Sequence, residues 1–369
     1  MSAAGPVRVL IVDDSSTVRA VLRRLLARTT GIEVSGEATD GAAAVDATLR
    51  LRPDVVLMDI EMPGMDGFQA TERIMALRPT PILVLTSRAT RNQIRTAFEA
   101  IRRGAVEVLP KPEDAAGWEQ LATTLPDVIR AVAAAHPAAA PRPSHPAAAA
   151  GPGRVTESSG QSLPAMSPTR VLWPAPTAMI RYVAVGASTG GPTAVRDLLA
   201  ALPGELPASV LVVQHIASGF ESSFAEWLAA ELRRDVRVAR DGEQPAAGDV
   251  RIGPTGAHLV LAGDGALRLD TTIPPRRGHR PSADELFLSC ARTFPTETAG
   301  VLLTGMGRDG ADGLAELRRA GGVTAAQDEA TSAVFGMPRA AIENGAAEVA
   351  LPPKEIGSAL RRCLQAVYR

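Results

Sequence analysis

The sequence predicts two α/β domains, each built on a parallel sheet and joined by a long linker. Three observations carry that class. Short apolar runs alternate with segments whose apolar residues recur at helical spacing, first from residue 7 to about 135 and again from 182 onward. From about 136 to 178 the large apolar residues give way to Ala, Pro, Gly and Ser. The length of 369 residues accommodates two cores. The expected architecture is a five-stranded, doubly wound domain over 6–135, a flexible Ala/Pro-rich linker over 136–178, and an α/β parallel-sheet domain over 179–369 with an antiparallel excursion.

The first half supports this element by element. Val7–Val12 is an apolar strand, and Ser15–Arg28 places Val18, Val21, Leu22 and Leu25 at helical spacing. Strand Ile32–Ala38, helix Gly41–Leu51, strand Asp54–Met58, helix Gly67–Leu77 and strand Pro81–Leu85 follow. Helix Arg91–Arg103, strand Ala105–Leu109 and a helix near Gly117–Ala135 complete the domain. Strands interleaved with helices imply a parallel sheet covered on both faces. The linker cannot bury enough apolar surface to offset its ordering entropy. About forty such residues span roughly 35 Å, which holds the flanking domains near millimolar effective concentration.

Beyond the linker the pattern returns in strands Tyr182–Val185, Val210–Val213 and Gly300–Leu303. Ser218 and Glu221 have capping-box spacing ahead of Phe224, Trp227, Leu228 and Leu232, which share a helix face. Leu314 and Leu317 open another amphipathic helix, stopped at Gly321-Gly322. The stretch 236–275 is rich in Gly and Pro and carries three short apolar runs, Val250–Ile252, His258–Leu261 and Leu267–Leu269. It reads as an antiparallel excursion from the main sheet.

Composition removes several classes. A formal charge of −1 supplies no field for nucleic acid or anionic lipid. Cys290 and Cys363 offer neither a disulfide framework nor metal spacing, and they fit a reducing cytoplasm. The opening Val-Arg-Val-Leu-Ile-Val is too short for a signal peptide, and no apolar span approaches the ~20 residues of a membrane helix. No membrane insertion and no nucleic-acid partner are expected.

Two constellations carry chemistry. Asp13 and Asp14 end the first strand, Asp59 the third and Thr86 the fourth, and Lys111 follows the fifth. All fall on the carboxyl-end rim of a parallel sheet, where ligands bind in such folds. Carboxylates converging there repel one another, which a hard cation such as Mg²⁺ relieves. Lys111 and Thr86 could supply charge and a donor to a bound phosphate. Singly, each has a plainer use as a helix cap, a turn residue or a solvated lysine.

In the second half, Gly186-Ala-Ser188-Thr-Gly190 follows a strand and opens a helix. It fits the turn that exposes a nucleophilic serine, and the unpartnered amides of such a helix start can hold an oxyanion. A Gly-rich turn whose serine merely caps the helix fits as well. A serine nucleophile requires a base. Of five histidines, His136 and His145 lie in the linker, His258 starts a strand, and His279 sits among Arg276, Arg277 and Arg280, where positive charge disfavours protonation. His215 ends the strand Val210–Gln214 on the rim of Ser188, although a strand-end histidine can also serve a backbone group. For the orienting carboxylate Asp309 is preferred, on a Gly-rich turn after a third strand, with Asp312 as rival in the next helix. The Ser–His–Asp order differs from the Ser–Asp–His order of α/β-hydrolases, so that superfamily is not supported.

The N-terminal half resembles response-regulator receiver domains over roughly 6–130, through Val12-Asp-Asp-Ser15, Met58-Asp59, Met62-Pro-Gly-Met-Asp-Gly67, Thr86-Ser87 and Lys111-Pro112. The resemblance implies a phosphoaspartate at Asp59, Mg²⁺ held by Asp13, Asp14 and Asp59, phosphoryl sensing by Thr86 and Lys111, and a sensor histidine kinase as phosphodonor. Val108 stands where receivers often carry an aromatic switch residue. The C-terminal half resembles the catalytic domain of the CheB family of chemotaxis protein-glutamate methylesterases over roughly 179–369. The matching segments are Gly186-Ala-Ser-Thr-Gly-Gly191, Gln214-His215, His279-Arg-Pro-Ser282, Leu303-Thr-Gly-Met-Gly307 with Asp309-Gly310, and Val334-Phe-Gly-Met-Pro338. Ile216-Ala217 replaces the Met-Pro of many members.

This resemblance implies Ser188 as nucleophile, His215 as base, Asp309 as orienter and the Met306 backbone N–H as an oxyanion donor, with no cofactor for ester hydrolysis. The implied substrates are methylated glutamates, and also glutamines, of methyl-accepting chemoreceptors. The implied setting is chemotaxis adaptation, the alternative being another receptor-linked pathway. Two other classes fit less well. A DNA-binding output would need a helix-turn-helix or basic stripe, and a nucleotide cradle would need G-x-G-x-x-G or a G-K-[ST] ending.

Overall fold

The computed structural model describes residues 5–86, 98–134 and 178–366. The linker expected at 136–178 (all but its last residue), Ser87, the first part of the helix expected at 91–103, His136 and His145 lie outside the described residues. No helix among the described residues is long and apolar enough to cross a membrane.

The N-terminal domain runs β1 (Val7–Val12), α1 (Ser16–Ala27), β2 (Ile32–Ala38), α2 (Gly41–Leu51), β3 (Val55–Asp59), α3 (Gly67–Leu77) and β4 (Ile82–Thr86). Helical residues 98–102 (α4), β5 (Glu107–Pro110) and α5 (Ala115–Ala134) follow. Ser15, Asp40 and Asp66 cap α1, α2 and α3 by accepting from backbone N–H groups three residues on. The strands pair in parallel in the order β2-β1-β3-β4-β5. Every residue of β3 and β4 is buried, as helices on both faces require. The chain reverses its direction across the sheet between β1 and β3. The ends of those two strands therefore flank the crevice of the domain.

The C-terminal domain contains β6 (Tyr182–Ala187), α6 (Gly191–Ala201), β7 (Ser209–Gln214), α7 (Glu221–Leu232), β8 (Val236–Val238), β9 (Val250–Ile252), β10 (His258–Leu261) and β11 (Leu267–Asp270). It continues through α8 (Ala283–Thr293), β12 (Thr298–Leu302), α9 (Ala311–Arg319), β13 (Val323–Gln327), α10 (Met337–Glu343), β14 (Val349–Leu351) and α11 (Pro353–Ala366). Seven strands form one parallel sheet in the order β14-β13-β12-β6-β7-β9-β8. Strands after β6 build outward on one side, and those after β12 on the other. The switch point lies between β6 and β12.

Two local expectations are corrected. Val250–Ile252 is not part of an antiparallel excursion: it pairs in parallel with β7 and extends the main sheet, and only β10 and β11 form an antiparallel hairpin. A three-residue Val-Arg-Ile segment cannot encode the direction of its neighbour. Ser218 does not cap α7, because Phe220 occupies the cap position. Glu221 does close the turn, accepting from Gly219 N at 2.8 Å, but Ser218 instead accepts from Thr255 Oγ1 at 3.3 Å.

The two domains pack against each other. Phe98 of α4 lies 5.7 Å, ring centre to ring centre, from both Phe224 and Trp227 of α7. All three rings are buried. Burying a side chain of this size contributes about 1.5–3 kcal/mol, so this cluster is a main anchor of the docked arrangement. Glu107, at the start of β5, accepts from Gly190 N at 3.2 Å.

Candidate active site

The carboxyl ends of β6, β7 and β12 meet at the switch point and carry the three residues singled out from sequence. Ser188 follows β6, and its N–H donates to Thr304 O at 3.0 Å, tying the turn to the loop after β12. Gly190 takes φ +74°, which lets the chain enter α6 directly behind the serine. Gly305 must also be glycine, because a Cβ there would lie 2.7 Å from Ser188 Cβ. His215 follows β7, and its N–H donates to Ala187 O at 2.9 Å. Gln214 Nε2 donates to both Ser188 O (2.8 Å) and His215 O (2.9 Å), bridging the two turns.

His215 Nε2 lies 2.9 Å from Asp309 Oδ2. The rival Asp312 is turned away, with Arg277 at 2.5 Å and Arg308 at 3.3 Å. Asp309 is 2% exposed, and burial alone would favour its neutral form. Bonds from His215, from Ser282 Oγ at 2.6 Å and from Ala283 N at 2.7 Å overcome this and hold its carboxyl down at about 2. Ala283 N and Asp284 N belong to the first turn of α8, so the helix dipole adds to the effect. An ionised carboxylate only accepts, so the His215 proton sits on Nε2 and Nδ1 is left as a bare acceptor. Nδ1 is buried and has no hydrogen-bond partner among the described residues. No hydrogen bond joins it to the Ser188 hydroxyl in this structure. Such bonds often tighten only on substrate binding. Met306, the expected oxyanion donor, is 37% exposed on the loop after β12.

The remaining histidines divide. His258 is buried at the start of β10, with Nε2 3.2 Å from Pro274 O and Nδ1 accepting from Ser282 N at 3.2 Å. His279 is stacked on His215. Its protonation is disfavoured, as expected, but the cause is corrected: burial comes first and His215 second. The neighbouring arginines are engaged elsewhere, Arg276 with Glu285 and Arg277 with Asp312.

On the N-terminal rim, oxygens of Asp13, Asp14 and Asp59 lie within 4.8 Å of one another. Lys111 Nζ is 2.7 Å from both Asp13 Oδ2 and Asp59 Oδ2. Burial pushes the Asp59 carboxyl upward, opposed by Lys111, while Lys111 is raised by the two carboxylates against its own burial. Thr86 ends β4, and its carbonyl accepts from Lys111 N at 2.7 Å. Three close oxygen donors fit a hard divalent cation.

Comparison with known proteins identifies both domains. Residues 9–122 match the response regulator receiver domain, and residues 183–360 the CheB methylesterase domain. A protein-glutamate methylesterase/protein-glutamine glutaminase of Anaeromyxobacter dehalogenans is 45% identical over 98% of this chain and 99% of its own length. The chain belongs to the CheB family. One from Geobacter metallireducens is 42% identical over 96% of this chain and 98% of its own. The crystallised CheB methylesterase catalytic domain of Thermotoga maritima is 36% identical, covering 50% of this chain and 99% of that one, with a TM-score of 0.48. As in the CheB family, a receiver precedes the methylesterase domain.

Sequence reasoning missed three residues of this arrangement. Ser282, which both caps α8 and donates to Asp309, was visible as the capping-box spacing Ser282-Ala-Asp-Glu285. Gln214 stood in the matching Gln214-His215 segment, but nothing there pointed to its bridging bonds. Glu107 carried none, since its partner Gly190 belongs to the other domain.

Proposed function

We propose that this protein hydrolyses methyl esters of glutamate side chains on chemoreceptors, and deamidates receptor glutamines, under control of phosphorylation at Asp59. The receiver would occupy 6–135 and the hydrolytic domain 179–369. The carrying observation is the His215–Asp309 pair beside the Ser188 turn.

Ser188 Oγ attacks the ester carbonyl as its proton passes to His215 Nδ1. That bond is not formed in the resting structure, so the transfer requires the hydroxyl and Nδ1 to close on substrate binding. The Met306 N–H and the amides opening α6 receive the oxyanion. Asp309, saturated with donors, supports the imidazolium and does not take the proton itself. The proton then leaves with methanol, or with ammonia from a glutamine. Water, deprotonated by His215, releases the glutamate.

In the receiver, Asp13, Asp14 and Asp59 would hold Mg²⁺, which when bound neutralises phosphoryl oxygens. A sensor kinase supplies the phosphoryl group to Asp59, and Lys111 and Thr86 sense it. A cavity of about 500 Å³ is walled by Lys111, Pro112 and Gln120 on one side and by Ala217 and Ser218 on the other. The loop leaving His215 therefore borders the phosphoryl-sensing lysine. The docked receiver covers the start of α6 and restrains this loop, and phosphorylation loosens the contact.

Methanol release from methylated receptor membranes, with and without a small phosphodonor, tests the reading. Activity should rise with the phosphodonor and fall to background in Ser188→Ala. Full activity in a folded Ser188→Ala protein would refute the assignment. Removing residues 1–178 should raise basal activity. A truncated chain no faster than the resting one would reject occlusion.

A further inference from the structure

The His215 and His279 rings lie 3.7 Å apart, centre to centre, with planes 3° from parallel. This is a face-to-face stack on the imidazole assigned as base, and the proton relay just described makes no use of it. We propose that His279 is a positioning residue of the hydrolytic site, its ring clamping the plane of His215 so that Nε2 stays on Asp309 while Nδ1 faces Ser188. The inference rests on the Ser188–His215–Asp309 reading and adds a fourth side chain to it.

Three features show a built arrangement. First, His279 is delivered by a rigid turn. Arg276 and His279 exchange both backbone hydrogen bonds, at 3.1 and 2.9 Å, across Arg277 and Gly278. Both central residues have positive φ, 51° and 84°, which marks the tight two-residue hairpin. Second, the same segment runs on into Ser282, Ala283 and Asp284, the three residues whose donors fix Asp309. One stretch of chain thus sets both the face of the imidazole and the carboxylate at its edge. Third, His279 is electrically quiet. Burial, and then the adjacent His215, bring it down to about 4, with Asp309 opposing. The other charged groups nearby are Arg276, held by Glu285, Arg277, held by Asp312, and Arg280, bonded to the carbonyl of Thr271.

At neutral pH His279 is therefore an uncharged aromatic plate against His215. A flat, neutral partner tolerates the imidazolium that forms during acyl transfer and favours it through the ring's negative face. A second imidazolium at that distance would oppose it.

The test uses the full-length protein with the methylated receptor substrate. His279→Ala should lower kcat by roughly 10- to 100-fold with KM nearly unchanged, because an imidazole free to turn loses alignment for proton transfer. His279→Phe, which restores a flat uncharged ring, should recover most of that loss. His279→Arg places a planar cation on the same face, and it should move the acid limb of the kcat/KM profile to lower pH. A merely structural role would not move that limb. Should His279→Ala fail to fold, the Phe and Arg variants decide alone. Wild-type kcat in His279→Ala, or an acid limb unmoved in His279→Arg, would overturn the proposal. Ser188→Ala, run in parallel, separates the two failures. If it stays active the triad is wrong, whereas if it is inactive beside a fully active His279→Ala only the stack is wrong.

Discussion

The two rims of this molecule solve opposite problems with the same sheet. Each site sits at a switch point of a parallel sheet, between β1 and β3 in the receiver and between β6 and β12 in the hydrolytic domain. In the receiver, among the described residues, Asp59 has Ile60 N on one oxygen and Lys111 on the other, and burial pushes its carboxyl upward. In the hydrolytic domain, Asp309 accepts from His215, Ser282, Ala283 and Asp284 and is held at about 2. On the proposed roles, the carboxylate that accepts a phosphoryl group is lightly bonded and crowded by charge, whereas the one that orients a base is bonded at every lone pair.

That contrast can be broken at either rim, or sharpened at the contact between them. The largest effect is expected at the saturated carboxylate. Asp309→Asn should lower methanol release by ~10⁴-fold, since an amide donates to His215 Nε2 and forces the wrong tautomer. A loss below tenfold would remove Asp309 from the orienting role. Next comes the lightly bonded one. In Asp59→Asn the ratio of phosphodonor-stimulated to resting activity should fall to unity, and chelating divalent cations should do the same to the native chain. Persistent stimulation would place the phosphoryl group elsewhere.

The smallest effect belongs to the contact between the domains. Glu107 is buried with no cation partner among the described residues, and burial lifts its carboxyl from its ordinary 4.5 to about 7, against bonds from Val108 N and Gly190 N. A cavity of about 260 Å³ beside Gly190 is lined by Asp197, which pairs with Arg196 and Lys354. A raised carboxyl binds its proton more tightly when docked, so docking is strongest below pH 4.5. It weakens as pH climbs to 7 and stays weak above. Resting activity of the whole chain, divided by that of a chain lacking 1–178, should rise over this window by about tenfold or less. Glu107→Gln should flatten the rise. A variant with the native slope would dissociate Glu107 from docking.

Much of this was legible in the chain alone. Strands β1 and β2 and helices α2 and α3 fall on their expected bounds, because apolar spacing and capping residues act locally. The rule that loops after parallel strands share a rim was enough to bring forward Asp13, Asp59 and Lys111, which meet, and His215 and Asp309, which pair beside the Ser188 turn. The preference for Asp309 over Asp312, three residues apart, rested on turn position, and the bonds from His215 and the first turn of α8 are what the tertiary structure adds. The rule could not show the His279 stack, the parallel pairing of β9, or the bond from Gly190 to Glu107 across 83 residues. Local periodicity and turn chemistry fix which residues reach the rim. Which of them touch is decided by the packing of segments far apart in sequence, and no short-range pattern encodes that.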